Sequence, residues 1–287
     1  MSIPEFTLPD HNVVELRGLR FHYVDWGNRH ATPILFLHGG GLTARTWDLV
    51  CLSLRPDYRC VAVDLRGHGD TDWAADRDYQ IDAHIADVEA IADHLDLDAF
   101  VLVGMSLGAK IGFGYAARHA NLLRALVLID SGPGSSRINE GAIRIRDFIA
   151  KSPVMPTIEA FIDRALEFNP TRDRRLLRRS LLHNLRQLPD GQWTWKYDQD
   201  GLVASFRSVR GRKDLWTQIP RVTCPTLVVR GSRSNVFSDN DAARLAAALP
   251  NGRWSRVENA GHTIQGDNPR ELAEVLRGFI LSAFQGF

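Results

Sequence analysis

The chain reads as an α/β fold, a mostly parallel central sheet flanked by helices, with a helical segment inserted ahead of its last two strands. Two observations predict this. Short runs of Val, Ile and Leu alternate with longer amphipathic stretches, the pattern of strands buried on both faces and joined by crossover helices. The alternation then lapses between Gly132 and about Trp216, where apolar residues recur at helical spacing instead.

In chain order, Val13 to Leu16 and Leu19 to Asp25 alternate around Arg17 and Gly18, which predicts an antiparallel hairpin at the sheet edge. ILFLH (34–38), CVAVDL (60–65), AFVLVG (99–104), ALVLID (125–130) and TLVVRG (226–231) read as inner strands, and a last strand runs from about Arg253 to Glu258. Helical spacing appears at 44–54, 80–95, 107–119, 239–248 and 269–284, the last introduced by Asp267, Asn268 and Pro269, good capping and first-turn residues. Inside the insertion, Ile143, Ile145, Phe148 and Ile149 form one helical stripe. Ile158, Phe161, Ile162, Ala165 and Leu166 form a second, and Leu177, Leu181, Leu182 and Leu185 a third. The reading therefore divides the chain into a core (1–132 and 216–287) and a helical cap (133–215), opened by SGPGSS. Residues 137–187 hold eleven Arg or Lys against six Asp or Glu. Because Arg174, Arg175, Arg178 and Arg179 lie opposite the leucine stripe, they read as a solvated face rather than an anion site.

Composition narrows the partners. With 44% hydrophobic and 24% charged residues and a net charge of +1, the chain is an ordinary globular one, without a global attraction for polyanions. No motif for nucleic acid occurs. MSIPEFTLPD lacks the basic and apolar regions of a signal peptide, and no apolar run approaches the ~18 residues of a membrane span, so a cytoplasmic protein is expected. Cys51, Cys60 and Cys224 are widely spaced and form no Cys/His cluster, so they read as buried apolar residues rather than a disulfide or zinc site. No metal or cofactor is expected, and a small molecule is the expected partner.

Three motifs carry chemistry. GMSLG (104–108) lies where a strand gives way to a helix. A GxSxG at such a junction turns so sharply that the Ser106 hydroxyl stands above the sheet, with small neighbours admitting the strained turn. HGGG (38–41) follows the third strand, and its glycines let backbone N–H groups approach a developing oxyanion. Gly40 and Leu107 are the expected donors. NAGHTIQGDNP (259–269) puts His262 in a loop before the final helix, downstream of the serine. His22, His68, His84, His94 and His183 have no comparable placement and read as structural.

With these motifs in view the sequence resembles the α/β-hydrolase fold family. FHYVDWG (21–27), LHGGG (37–41), DLRGHGDTD (64–72), GMSLG, PTLVVRG (225–231) and AGH (260–262) carry the resemblance over nearly the full chain. It implies an α/β-hydrolase fold, a serine nucleophile and a pocket between cap and core. It also implies a carboxylate in the loop after TLVVRG, where this chain has Ser234 and Asn235. Asp130 is one replacement, since it ends the strand ALVLID at the sheet edge where catalytic groups gather, and some haloalkane dehalogenases and lactone hydrolases of the family draw their acid from that strand. Asn235 in a neutral triad is another, and Asp239 or Asp241, at a helix N-terminus, a third.

The expected activity is cofactor-free serine hydrolysis of a small apolar carboxylic ester or lactone through an acyl-enzyme on Ser106, with His262 as base. Trp47, Met105, Trp193, Trp195 and Phe237 are candidates for the pocket wall. The alternatives are a carbon–carbon bond hydrolase of the meta-cleavage type, whose members often carry Trp where this chain has Thr263, a cofactor-independent oxygenase or lyase, and a non-hydrolytic ligand-binding protein.

Overall fold

The computed structural model describes residues 8–133, 140–151, 153–168, 170, 172–207 and 215–285. Strands β1 (Asp10–Leu16) and β2 (Leu19–Asp25) form the edge hairpin, reversing at Arg17 and Gly18, which both take positive φ. Then come β3 (Pro33–Leu37), a 3₁₀ turn at Ala44–Trp47 leading into α1 (Asp48–Leu54), β4 (Arg59–Val63), α2 (Ile81–His94), β5 (Phe100–Met105), α3 (Leu107–His119) and β6 (Leu123–Ile129). The insertion holds α4 (Glu140–Ala150), α5 (Ile158–Phe168), α6 (Arg174–Asn184), β7 (Leu185–Gln187), β8 (Trp193–Trp195) and α7 (Gln199–Arg207). After it follow β9 (Thr226–Gly231), α8 (Asp239–Ala248), β10 (Gly252–Val257), the short α9 (Ile264–Asp267) and α10 (Pro269–Phe284).

Eight strands form one sheet in the order β1-β2-β4-β3-β5-β6-β9-β10. The β1–β2 and β2–β4 pairs are antiparallel and all the others parallel. From β3 the chain moves outward to β4, then returns past β3 to lay down β5 and β6 on its other side. The order therefore reverses between β3 and β5, and the loops leaving their C-terminal ends diverge, which is where open α/β sheets hold their ligands. Apolar residues on both faces of the sheet build two layers. Leu35, Leu37 and Leu102 pack with residues of α2, α3 and α8, and Ile34, Phe36 and Val103 pack with residues of α1 and α10.

The insertion has its own apolar cluster around Phe161, Leu181 and Trp195. Arg174 and Arg178, half exposed, bridge from α6 to Glu159 and Asp163 of α5, in keeping with a solvated face. One expectation is corrected here. No strand was predicted in the insertion, and Leu185 was assigned to a helical stripe, yet β7 and β8 pair antiparallel with Leu185 opposite Trp195. Three-residue strands are too short to display a period of two. The legible signal was the turn LPDGQ, closed by Leu188 N–H to Gln192 O at 2.7 Å with Gly191 at φ 84°. The second half of SGPGSS, residues 134–136, lies outside the described residues. The three cysteines are buried and form no disulfide. Among the described residues no helix is long and apolar enough to cross a membrane.

Candidate active site

Ser106 sits between β5 and α3 at φ 54° and ψ −106°, a conformation costing a non-glycine residue on the order of 1–3 kcal/mol. The surrounding backbone imposes it. Ser106 N–H bonds Ile129 O at 3.0 Å and Gly108 N–H bonds His38 O at 3.1 Å, so helix and strands meet at main-chain distance. A Cβ at Gly104 would fall on the Gly108 carbonyl, and one at Gly108 on the Leu37 carbonyl. Only small residues flanking the serine allow this turn.

The imidazole of His262 stands over that turn. Its Nε2 lies 3.1 Å from Ser106 Oγ and its Nδ1 lies 2.7 Å from Asp130 Oδ2. An ionised carboxylate only accepts, so Nδ1 carries the proton and Nε2 is the acceptor that faces the hydroxyl. Asp130 is fully buried just past the end of β6, itself at φ 50°. Its carboxylate is also met by Gly231 N–H at 3.2 Å and Ser234 O–H at 2.5 Å, which makes three donors for one buried acid.

The structure thus brings Ser106, His262 and Asp130 together; Asn235 lines the same cavity, but the ring's Nδ1 meets Asp130 instead, and Asp239 and Asp241 lie elsewhere. Asn235 packs against Gly141 of α4, where a Cβ would meet its carbonyl oxygen at 2.5 Å. Asp239 bonds Arg230 and Arg256, and Asp241 closes a capping box with Ser238 at the start of α8. Ser234 went unassigned by sequence reasoning, although it occupies the loop where the resemblance puts a carboxylate. Its hydroxyl reaches back to the carboxylate on the neighbouring strand.

The HGGG loop is pinned to the sheet through His38. This fully buried ring donates from Nδ1 to Gly39 O at 2.8 Å and accepts at Nε2 from Leu65 N–H at 3.0 Å. Burial lowers its pKa, so it stays neutral and keeps both roles. Gly39 passes so close to β5 that a Cβ would lie 2.6 Å from Met105 Sδ. Gly40 and Leu107 both line the cavity in front of Ser106. Leu107 opens α3, where an N–H has no acceptor within the helix.

A second support was not foreseen. Asp267, read from sequence as a cap for the last helix, accepts instead from Gly261 N–H at 2.9 Å, next to His262, and pairs with Arg172 of the insertion at 3.1 Å. Asn268 caps α10. The cavity encloses about 870 Å³ between the sheet edge and the insertion, in the upper part of the roughly 300–1,000 Å³ usual for small-molecule sites. Met105 and Trp195 line it, whereas Trp47, Trp193 and Phe237 do not. Trp47 is fully buried against Phe36 under the sheet, Phe237 belongs to the core layer beneath α8, and Trp193 is taken up by β8 and its bridge to Met155. Trp47 and Phe237 lie in cores and Trp193 packs half-buried against the insertion's own cluster, because large aromatics fill layers as readily as they line pockets.

One group of possible metal ligands occurs among the described residues, His22, Asp64 and Asp70, each offering an atom within 4.8 Å of the others. Asp64 already accepts from Ala44 N–H (2.6 Å), Asp70 N–H (2.9 Å) and His22 Nδ1 (2.8 Å). That is the bonding of a carboxylate tying two loops to the sheet.

The family model described as alpha/beta hydrolase fold matches residues 32–269. The chain belongs to that family. It is 34% identical over 260 residues to esterase Rv0045c of Mycobacterium tuberculosis, covering 89% of this chain and 84% of that protein. A solved structure of the same esterase superposes with a TM-score of 0.80 at 33% identity, over 96% of this chain and 92% of that one. The N-formylmaleamate deformylase of Pseudomonas putida is 29% identical, with 89% of this chain and 90% of that protein covered. The structure of an E-2-(acetamidomethylene)succinate hydrolase has a TM-score of 0.84 at 24% identity, covers 95% of this chain and 99% of that one, and shares the fold. Such varied relatives fit a fold whose chemistry is decided by its site.

Proposed function

We propose that this chain, a hydrolase of the carboxylic-ester type, cleaves a small, largely apolar ester or lactone through an acyl-enzyme on Ser106. The observation that carries the reading is the hydrogen-bonded run from Ser106 Oγ through His262 to buried Asp130. His262 Nε2 takes the hydroxyl proton as Oγ attacks the carbonyl, and Asp130 holds the ring in the right tautomer and stabilises the imidazolium. The Gly40 and Leu107 N–H groups receive the negative charge that develops on the carbonyl oxygen. His262 then protonates the departing alkoxide, and the same base activates water to release the acid. In a lactone both products are one molecule. The insertion acts as a cap that shields the reaction from bulk water.

Support for an ester rather than another acyl compound comes from the Mycobacterium tuberculosis relative, an esterase. Covalent labelling tests the proposal. A fluorophosphonate is expected to label the parent protein and to fail on Ser106→Ala. A folded parent that resists the probe and yet binds an ester would instead be a non-hydrolytic receptor.

A further inference from the structure

The roles above leave His84 unused. It lies in the first turn of α2, is 1% exposed, and lines the same cavity as Ser106. Neither of its ring nitrogens has a hydrogen-bond partner among the described residues. A neutral imidazole carries one donor and one acceptor, and burial strips water from both, so native proteins seldom leave such a ring unpaired. The other buried imidazoles near the sheet edge are engaged. His22 meets Asp64 and His11, and His38 meets Gly39 and Leu65, each through both ring nitrogens; His68 donates from Nδ1 to Arg66 O, and only its Nε2 lacks a partner among the described residues.

The surroundings define what His84 would recognise. Ile81, Ile85 and Gly114 lie beside it on the wall formed by α2 and α3, a stretch of lining that also holds Gln80, Asp82, Lys110 and Arg118. Burial, reinforced by the nearby His68 and Arg66, holds its pKa well below the ordinary imidazole range. The neutral ring therefore offers a donor and an acceptor but no charge, which matches a hydroxyl or carbonyl and not a carboxylate. Along α3, Leu107, Lys110 and Gly114 face the cavity on successive turns, and seven residues of helix span about 10 Å. A group at His84 is thus several bonds from the scissile carbonyl.

We infer that His84 is a specificity-determining residue that binds a neutral hydroxyl or carbonyl on the limb of the ester running between α2 and α3. This rests on the esterase reading above.

Two series of esters test it. In one, p-nitrophenyl acyl esters are paired with counterparts bearing a hydroxyl or oxo group at successive acyl carbons. In the other, the substituent is on the alcohol. The parent protein is expected to turn over at least one substituted ester with a kcat/KM about 10-fold or more above its plain partner, the scale of one well-made hydrogen bond. His84→Phe should erase that advantage and keep the plain ester within about 3-fold of the parent. His84→Gln, whose amide also donates and accepts, should restore part of the advantage and serves as the variant of record if the Phe protein does not fold. The assignment is overturned if no substituted ester is preferred by the parent, or if both variants lower plain and substituted esters alike. Fluorophosphonate labelling run alongside separates the two failures. A labelled parent without the preference sinks only His84, while an unlabelled parent removes the esterase reading as well.

Discussion

Asp130 is fully buried and receives hydrogen bonds from His262, Ser234 and Gly231. An amide in its place would lose the charge facing the imidazolium and could itself donate to Nδ1, favouring the wrong tautomer. Asp130→Asn is therefore expected to lower kcat for an ester by about 10³- to 10⁴-fold, the scale of the acid-to-amide change in a serine triad. Asn235→Ala should stay within a few-fold. Steady-state kinetics on both variants decide the matter, and an Asp130→Asn protein near parental activity would refute the assignment. At this scale sequence reasoning reached far but unevenly. Ser106 and His262 were legible because each sits in a local motif whose neighbours dictate its geometry. Asp130 stayed one candidate among several, since no local pattern tells which of several loops lowers a carboxylate onto a ring 132 residues away. Ser234 was illegible as its partner for the same reason.

The strand–turn–helix unit built by β5 and α3 depends on the absence of side chains at 104 and 108. Gly108→Ala would drive a methyl into the backbone at Leu37 and His38, so helix and strand must part. Overpacking of this kind costs about 1–3 kcal/mol. Here it should appear as a lower urea midpoint together with a reduced kcat, because the Leu107 N–H moves with the helix. A parental midpoint would mean that the close approach is not a constraint. The inner strands were legible as unbroken apolar runs, and the core helices because their period survives over two or more turns. The β7–β8 hairpin was not, although its turn residues announced it. Trp47, Trp193 and Phe237 show the same limit from the other side, since an aromatic residue's type does not say which surface it faces.

Across the whole molecule, three fully or nearly buried imidazoles lead the response to acid, joined by half-buried His183, whose pKa burial lowers to about 4. Burial lowers the pKa of His38 and His84, and drives that of His68, with help from His38, down to about 3. In the unfolded chain such rings titrate near ~6.5. Between these values the unfolded chain binds protons that the folded protein refuses, so stability falls as pH drops below about 6.5 and continues to fall toward 3. Asp64 adds to the loss at the acid end. Although burial opposes it, the hydrogen bond from His22 and the neighbouring imidazoles lower its pKa, so its contribution disappears as it protonates. Asp87, raised by burial, works in the opposite sense. Urea midpoints should thus be level above about pH 7 and decline steadily from 6.5 to 4.5, and a flat profile would contradict the burial of neutral rings. The order of strands, with its reversal between β3 and β5, gathers residues from four separate chain segments at one edge. Whether they act together is tested most directly by where a fluorophosphonate attaches and how fast. Peptide mass spectrometry is expected to find a single adduct on Ser106, formed at least ~100-fold more slowly in His262→Ala, the scale of a positioned base. An adduct on another residue, or a rate indifferent to His262, would contradict the account.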